Sequence, residues 1–136
     1  MNARAAFGVY FTSSRIAKFL SQSVVAQSLS DREDLTRAMN KVVTASNDSI
    51  REAGANEVLD AIKSVRLADL TCGSGVFLIA ALESLLSPYR KALEAQSRSG
   101  SLFQRVAASQ QSEILKSSVY GADHLPAAVE LAKLAL

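Results

Sequence analysis

The sequence predicts an α/β fold with an incomplete sheet: two parallel strands joined and covered by several helices. Three observations carry that prediction. An apolar run at Val65, Leu67 and Leu70 passes through the turn Cys72-Gly73-Ser74-Gly75 into a long apolar segment over residues 76–86. A second short run, Val119-Tyr120-Gly121, is followed by Asp123 and by Pro126, a residue suited to the first turn of a helix. The long stretch between the two runs is patterned as helix, and parallel strands require such a crossover, which should be right-handed.

Taken in order, Phe7-Gly8-Val9-Tyr10-Phe11 followed by Thr12-Ser13-Ser14 reads as a loop entering a helix, with Thr and Ser as caps. Ile16, Phe19, Leu20 and Val24 then share one helical face, and the simplest expectation is an anchor that packs the N-terminus on the core. Residues 30–63 read as helical. Ser30 and Glu33 fit a capping box, and Leu35, Met39, Val42 and Val43 continue an apolar stripe. An interruption is expected at Asn47-Asp48-Ser49 or at Gly54, after which Val58, Leu59 and Ile62 carry further turns. Charges of both signs mark a solvated face, with no chemistry evident in it.

The first strand ends at Asp69, whose carboxylate is thereby delivered to the carboxyl edge of the sheet. Gly73 and Gly75 lack a Cβ, so both can take positive φ and let a ligand approach the backbone. The helix beginning near Gly75 has good helix formers and no breaker through Leu86. Ser87-Pro88 is expected to break it, or Pro88 to start a new turn running through Tyr89 to Gln96. Residues 97–101 read as a polar loop, and Leu102, Phe103, Val106, Ala107, Ile114 and Leu115 as another helix over the sheet. Ser118 through Asp123 form the second strand, and Val129, Leu131, Leu134 and Leu136 the apolar face of the helix begun by Pro126.

Bulk properties narrow the class. The 136 residues suit one domain, burying roughly two-thirds of the unfolded surface. A hydrophobic share of 49% with 21% charged residues is that of an ordinary globular chain, and a net charge of +2 is too mild to imply a nucleic-acid surface by itself. One cysteine excludes an internal disulfide and one histidine the usual zinc constellations. No run approaches the roughly 20 apolar residues of a membrane span, and no signal-peptide pattern opens the chain, so a cytoplasmic protein without a membrane partner is expected.

The chemistry concentrates at the glycine turn. An acid at Asp69 argues against a phosphate ligand and for one with a cationic or hydroxyl-bearing part. A dinucleotide fingerprint would need glycine at Leu78, a P-loop would need a glycine-lysine pair, and a nucleophile elbow on Ser74 would need glycine at Cys72. Asp123, at the end of the second strand, either accepts hydrogen bonds from ribose hydroxyls or caps the following helix. His124 either edges the same pocket or lies exposed in a loop. Cys72 as a nucleophile would need His124 as its base, with nothing to orient that histidine; a small buried side chain is the better reading.

The stretch Asp69, Cys72-Gly73-Ser74-Gly75, Phe77-Leu78 resembles the glycine motif of S-adenosylmethionine-dependent DNA adenine methyltransferases, with Leu70 where that family has proline. Gly8-Val9-Tyr10-Phe11-Thr12 with Ile16 and Leu20 is similar to a second motif of the family, with Ser13 again in place of proline. Val119-Tyr120-Gly121-Ala122-Asp123 with Pro126, Ala128, Val129, Ala132 and Lys133 is similar to a third. The resemblance, to the adenine-N6 enzymes of type IIG restriction–modification and related phage-defence systems, implies a partial Rossmann-like methyltransferase fold. It implies S-adenosylmethionine as cofactor, bound by Tyr10, Thr12, Asp69, Cys72, Gly73, Gly75, Phe77, Asp123 and His124. It divides the chain into a helical segment, residues 1–63, whose motif closes over the cofactor, and a first βαβα part of the binding domain, residues 64–136. The family's catalytic motif ends in Pro-Pro and an aromatic residue; the two prolines here, Pro88 and Pro126, are not adjacent. A fragment or truncated reading frame inactive alone is therefore expected, meeting DNA through regions outside it or through the remainder of the enzyme on another chain. The alternatives are a non-catalytic remnant that binds a partner and, less favoured, a nicotinamide-dependent enzyme.

Overall fold

The computed structural model of the chain describes residues 12–96 and 100–136; Tyr10, and residues 97–99 of the polar loop expected over 97–101, lie outside them. Within that span the protein is mostly helical, with two parallel strands in an incomplete sheet. The order is α1 (Ser14–Ser30), α2 (Glu33–Thr44), α3 (Asp48–Lys63), β1 (Leu67–Asp69), α4 (Val76–Gln96), α5 (Gly100–Ser118), β2 (Val119–Gly121) and α6 (Pro126–Ala135). β1 and β2 pair in parallel, with Leu67 opposite Val119, Ala68 opposite Tyr120 and Asp69 opposite Gly121. The crossover between them is helical.

The core lies among α1 to α5. Leu35, Ala38 and Val42 recur on one face of α2 and are buried, with Glu33 and Asp34 in its first turn and Lys41 in its last, complementing the helix dipole. Asn47 starts α3: its Oδ1 accepts from the Ile50 N–H at 2.9 Å, a cap that typically contributes about 1 kcal/mol. Of the two interruptions expected here, the Asn47 one occurs and the Gly54 one does not. Gly54 lies inside α3, and a Cβ there would stand 3.0 Å from Val42 Cγ2, so the residue serves the close approach of α2 and α3. Val58 and Ile62 from α3, Leu85 from α4 and Ile114 from α5 are fully buried in the same cluster.

Three local expectations need correction. The Ser30–Glu33 capping box does not form: Ser30 closes α1 and donates to Gln27 O, while Arg32 precedes α2. The α1 face predicted to pack inward points outward. Ile16, Phe19, Leu20 and Val24 are exposed, Phe19 at 68%, whereas Ala17, Ser21 and Val25 are buried. On the buried face Ser21 Oγ donates to Phe77 O at 3.1 Å, tying α1 to α4. The neighbouring Ser13 occupies the cap position of α1 without a side-chain bond.

Pro88, the third, does not end the central helix. α4 continues to Gln96, because Tyr89, Ala92 and Leu93 extend the buried stripe of Leu85 and Leu86 past the proline. Burying those side chains, at about 1.5–3 kcal/mol for a large one, offsets the roughly 3 kcal/mol that an interior proline costs. The second polar-loop boundary also shifts, since Gly100 already begins α5.

Candidate functional site

β1 and β2 end together. With Asp69 opposite Gly121, the segments leaving both strands emerge at one rim of the sheet. The Ala122 N–H donates to Asp69 O and the Cys72 N–H donates to Ala122 O, each at 2.9 Å, so the two exits run side by side beyond the ladder. Asp69 Oδ1 accepts from the Thr71 N–H at 2.9 Å and lies 3.3 Å from Thr71 Oγ1, an Asx-type turn that starts the loop. Cys72 O then accepts from the Gly75 N–H at 2.8 Å, and Gly75 O accepts from the Ile79 N–H at 2.9 Å, opening α4. Gly73 has φ +52° and Gly75 φ +85°, the left-handed region expected of both.

Asp123 reaches across to this turn. Its Oδ2 accepts from the Gly73 N–H and its Oδ1 from the Leu125 N–H, both at 2.9 Å, and its side chain is 10% exposed. The cap position of α6 belongs to Leu125, with Pro126 first in the helix. His124 is largely exposed, with Nδ1 3.3 Å from Asp123 Oδ1. Donation by the Leu125 and Gly73 N–H groups to the ionised form holds the Asp123 carboxyl below its ordinary value.

That shift has a direction in pH. A folded-state pKa below the unfolded value of about 3.9 means the carboxylate stabilises the fold fully above that value. The contribution disappears as pH falls through the lower, folded-state pKa. Carboxyl-carbon NMR is expected to show Asp123 titrating below about 3.9, and unfolding free energy to fall less on acidification in Asp123→Asn than in the unsubstituted chain. A midpoint at or above the unfolded value would contradict the two backbone bonds.

Cys72 is 5% exposed, packed with Leu78 and Ala132. Burial first, then the charges of Asp123 and Asp69, pushes its thiol pKa up, so it stays protonated and is a poor nucleophile.

A cavity of about 480 Å³ opens beside Asp69, between α1, β1 and the start of α4. Thr12, Asp69 and Phe77 line it, together with Leu20, Val24 and Thr71, which sequence reasoning did not assign to a site. Thr71 carried a signal, the Asp-x-Thr spacing of an Asx turn; Leu20 and Val24 carried one only as a supposed core face. Cys72, Gly73, Gly75, Asp123 and His124 are not among its walls. The predicted residues thus fall into two groups, Thr12, Asp69 and Phe77 on the cavity and Cys72, Gly73, Gly75, Asp123 and His124 off its walls. A larger cavity of about 740 Å³ lies along α1 and α4, around Lys18, Glu83, Arg90 and Glu94. Its charges are of mixed sign, Lys91 included, whereas the smaller cavity is mostly apolar with Asp69 at its edge and is the better ligand site.

No protein-family model, curated protein or solved structure matches the chain.

Proposed function

We propose that the chain is the S-adenosylmethionine-binding part of a DNA adenine-N6 methyltransferase, with a partial Rossmann-like methyltransferase fold. One observation carries the reading: two acids at the same rim of adjacent parallel strands flank a turn whose two glycines both have positive φ. The motif residues Asp69, Gly73, Gly75, Phe77 and Asp123 are those that this rim gathers.

The residues fit such a ligand. The cavity volume lies within the range of small-molecule sites, roughly 300–1,000 Å³. Its walls at Leu20, Val24 and Phe77 are apolar, which suits an uncharged methylene and methyl surface. At its edge Asp69 keeps acceptor capacity, because Thr71 engages Oδ1 alone among the described residues. A carboxylate there favours a cationic or hydroxyl-bearing group and repels a phosphate. The bound group supplies an electrophilic methyl on sulfonium; this chain's part is to hold it, to shield it from water, and to present Asp69 to its charge. The acceptor for the adenine amine belongs to a Pro-Pro motif that these 136 residues do not contain, so the proposal assigns cofactor binding and not the methyl transfer.

Calorimetric titration tests it. S-adenosylmethionine is expected to bind in the micromolar range and NAD not to bind. Asp69→Ala, which removes a charged acceptor, is expected to weaken the former by about ten- to a hundredfold. Tight NAD binding, or no binding of S-adenosylmethionine by the folded chain, would overturn the reading.

A further inference from the structure

Ser21 is 7% exposed, a hydroxyl on the otherwise apolar buried face of α1. It also lines the cavity beside Asp69. Its Oγ donates to Phe77 O, in the first turn of α4, at 3.1 Å. Phe77 is a wall of the same cavity, as are Leu20, next to Ser21 in sequence, and Val24, about one turn further along α1. Lys18 and Glu83 link the two helices as well, but at 3.9 Å and with both side chains more than half exposed, and such an ion pair holds no fixed geometry. A hydroxyl withdrawn from water gains little net stability from one hydrogen bond, so alanine would serve packing here about as well. What the bond adds is direction: an apolar contact lets a helix slide or roll, and a satisfied buried polar pair does not.

We infer that Ser21 is a positioning residue for the ligand site, pinning α1 on α4 so that Leu20 and Val24 are held as walls of the cavity that Phe77 shares. The inference rests on the proposed S-adenosylmethionine site and adds to it a residue outside the three motifs. Leu20 is 46% and Val24 66% exposed, so core packing does not fix them. The helix that carries them is set by its own buried face. On that face Ala17 offers a methyl group and Val25 an isopropyl group, neither of which specifies a register, whereas the Ser21 bond does. Rolling α1 by one residue position, about 100°, would carry Leu20 and Val24 off the cavity.

The test titrates S-adenosylmethionine calorimetrically into the unsubstituted chain, Ser21→Ala, Leu20→Ala and the double variant. Ser21→Ala is expected to weaken binding about three- to tenfold, as the loss of one ordinary hydrogen bond would. Its urea midpoint should stay near that of the unsubstituted chain, because the better helix propensity of alanine offsets the lost bond. In the Leu20→Ala background the same substitution is expected to cost less, since part of what Ser21 positions is gone. An equal cost in both backgrounds would mean that Ser21 touches the ligand itself, and unchanged affinity that its bond positions nothing; either result overturns the inference. Backbone residual dipolar couplings read the pin without ligand. The amides of α1 and α4 are expected to fit one rigid frame in the unsubstituted chain, and those of α1 to depart from it in Ser21→Ala. Couplings left unchanged by the substitution would refute the pin. If S-adenosylmethionine does not bind the unsubstituted chain, the cofactor reading fails, while the couplings still decide what Ser21 does.

Discussion

Gly75→Val is expected to destabilise the fold by about 2–5 kcal/mol and to abolish ligand binding. Two separate costs add. Gly75 has φ +85°, where a residue with a Cβ is strained by roughly 1–2 kcal/mol, more when β-branched. Its Cβ would also lie 3.1 Å from Ala132 Cβ and 3.3 Å from Ala132 Cα, and overpacking of that kind costs about 1–3 kcal/mol. The obstructing atoms belong to the backbone and a methyl group of α6, so no flexible side chain can swing aside. Because a domain of this size is held by about 5–15 kcal/mol in total, the variant should unfold at markedly lower urea. Gly73→Ala is the control. It meets φ +52° but open space, so only the conformational cost of about 1–2 kcal/mol applies. Equal losses in Gly75→Ala and Gly73→Ala would show that α6 does not press on the turn.

Leu85→Ala carries the other large effect. Leu85 is fully buried on α4, in the cluster that includes Val58, Ile62 and Ile114. Truncation removes the transfer free energy of the lost carbons and leaves a cavity between helices, for about 2–5 kcal/mol. Leu134 provides the contrast. It also sits in an apolar helical stripe, but it is 85% exposed, and Leu134→Ala should shift stability by no more than about 0.5 kcal/mol. Denaturant unfolding of both variants checks the pair, and a comparable loss at Leu134 would contradict the burial found here.

The two leucines show what composition and spacing resolve and what they do not. The strand–turn–helix over residues 67–96 was legible because its signals are local: an apolar run, an acid, two glycines and a long apolar helix. The parallel pairing followed from the helical length between the two short runs. The outward face of α1 was not legible. Periodicity selects Ile16, Phe19, Leu20 and Val24 as the inner face, while the helix in fact buries Ala17, Ser21 and Val25, with Ser21 bonded to the first turn of α4. Pro88 misleads in the opposite sense. A breaker rule concerns the local backbone, and the side chains that overrule it, Tyr89 and Leu93, owe their effect to contacts elsewhere.

At the site, the acids and glycines could be named from sequence, but the partner of Asp123 could not. Every residue except proline offers an N–H, so nothing in residue type marks Gly73 as the donor. The cavity walls supplied by α1 were equally hidden, since Leu20 and Val24 enter the site only through the same reversal of the helix face. A glycine at 121 has a similar meaning that spacing alone does not reveal: a Cβ there would stand 2.8 Å from Leu78 Cδ1.

The most direct measurement is an amide chemical-shift map of the chain titrated with S-adenosylmethionine. The account predicts saturable shifts at Asp69, Thr71, Gly73, Gly75 and Phe77, with Leu20 and Val24 of α1 following, and silence around Lys18, Arg90 and Glu94. Shifts confined to that second, larger cavity, or no saturable shifts at the glycine turn, would contradict it.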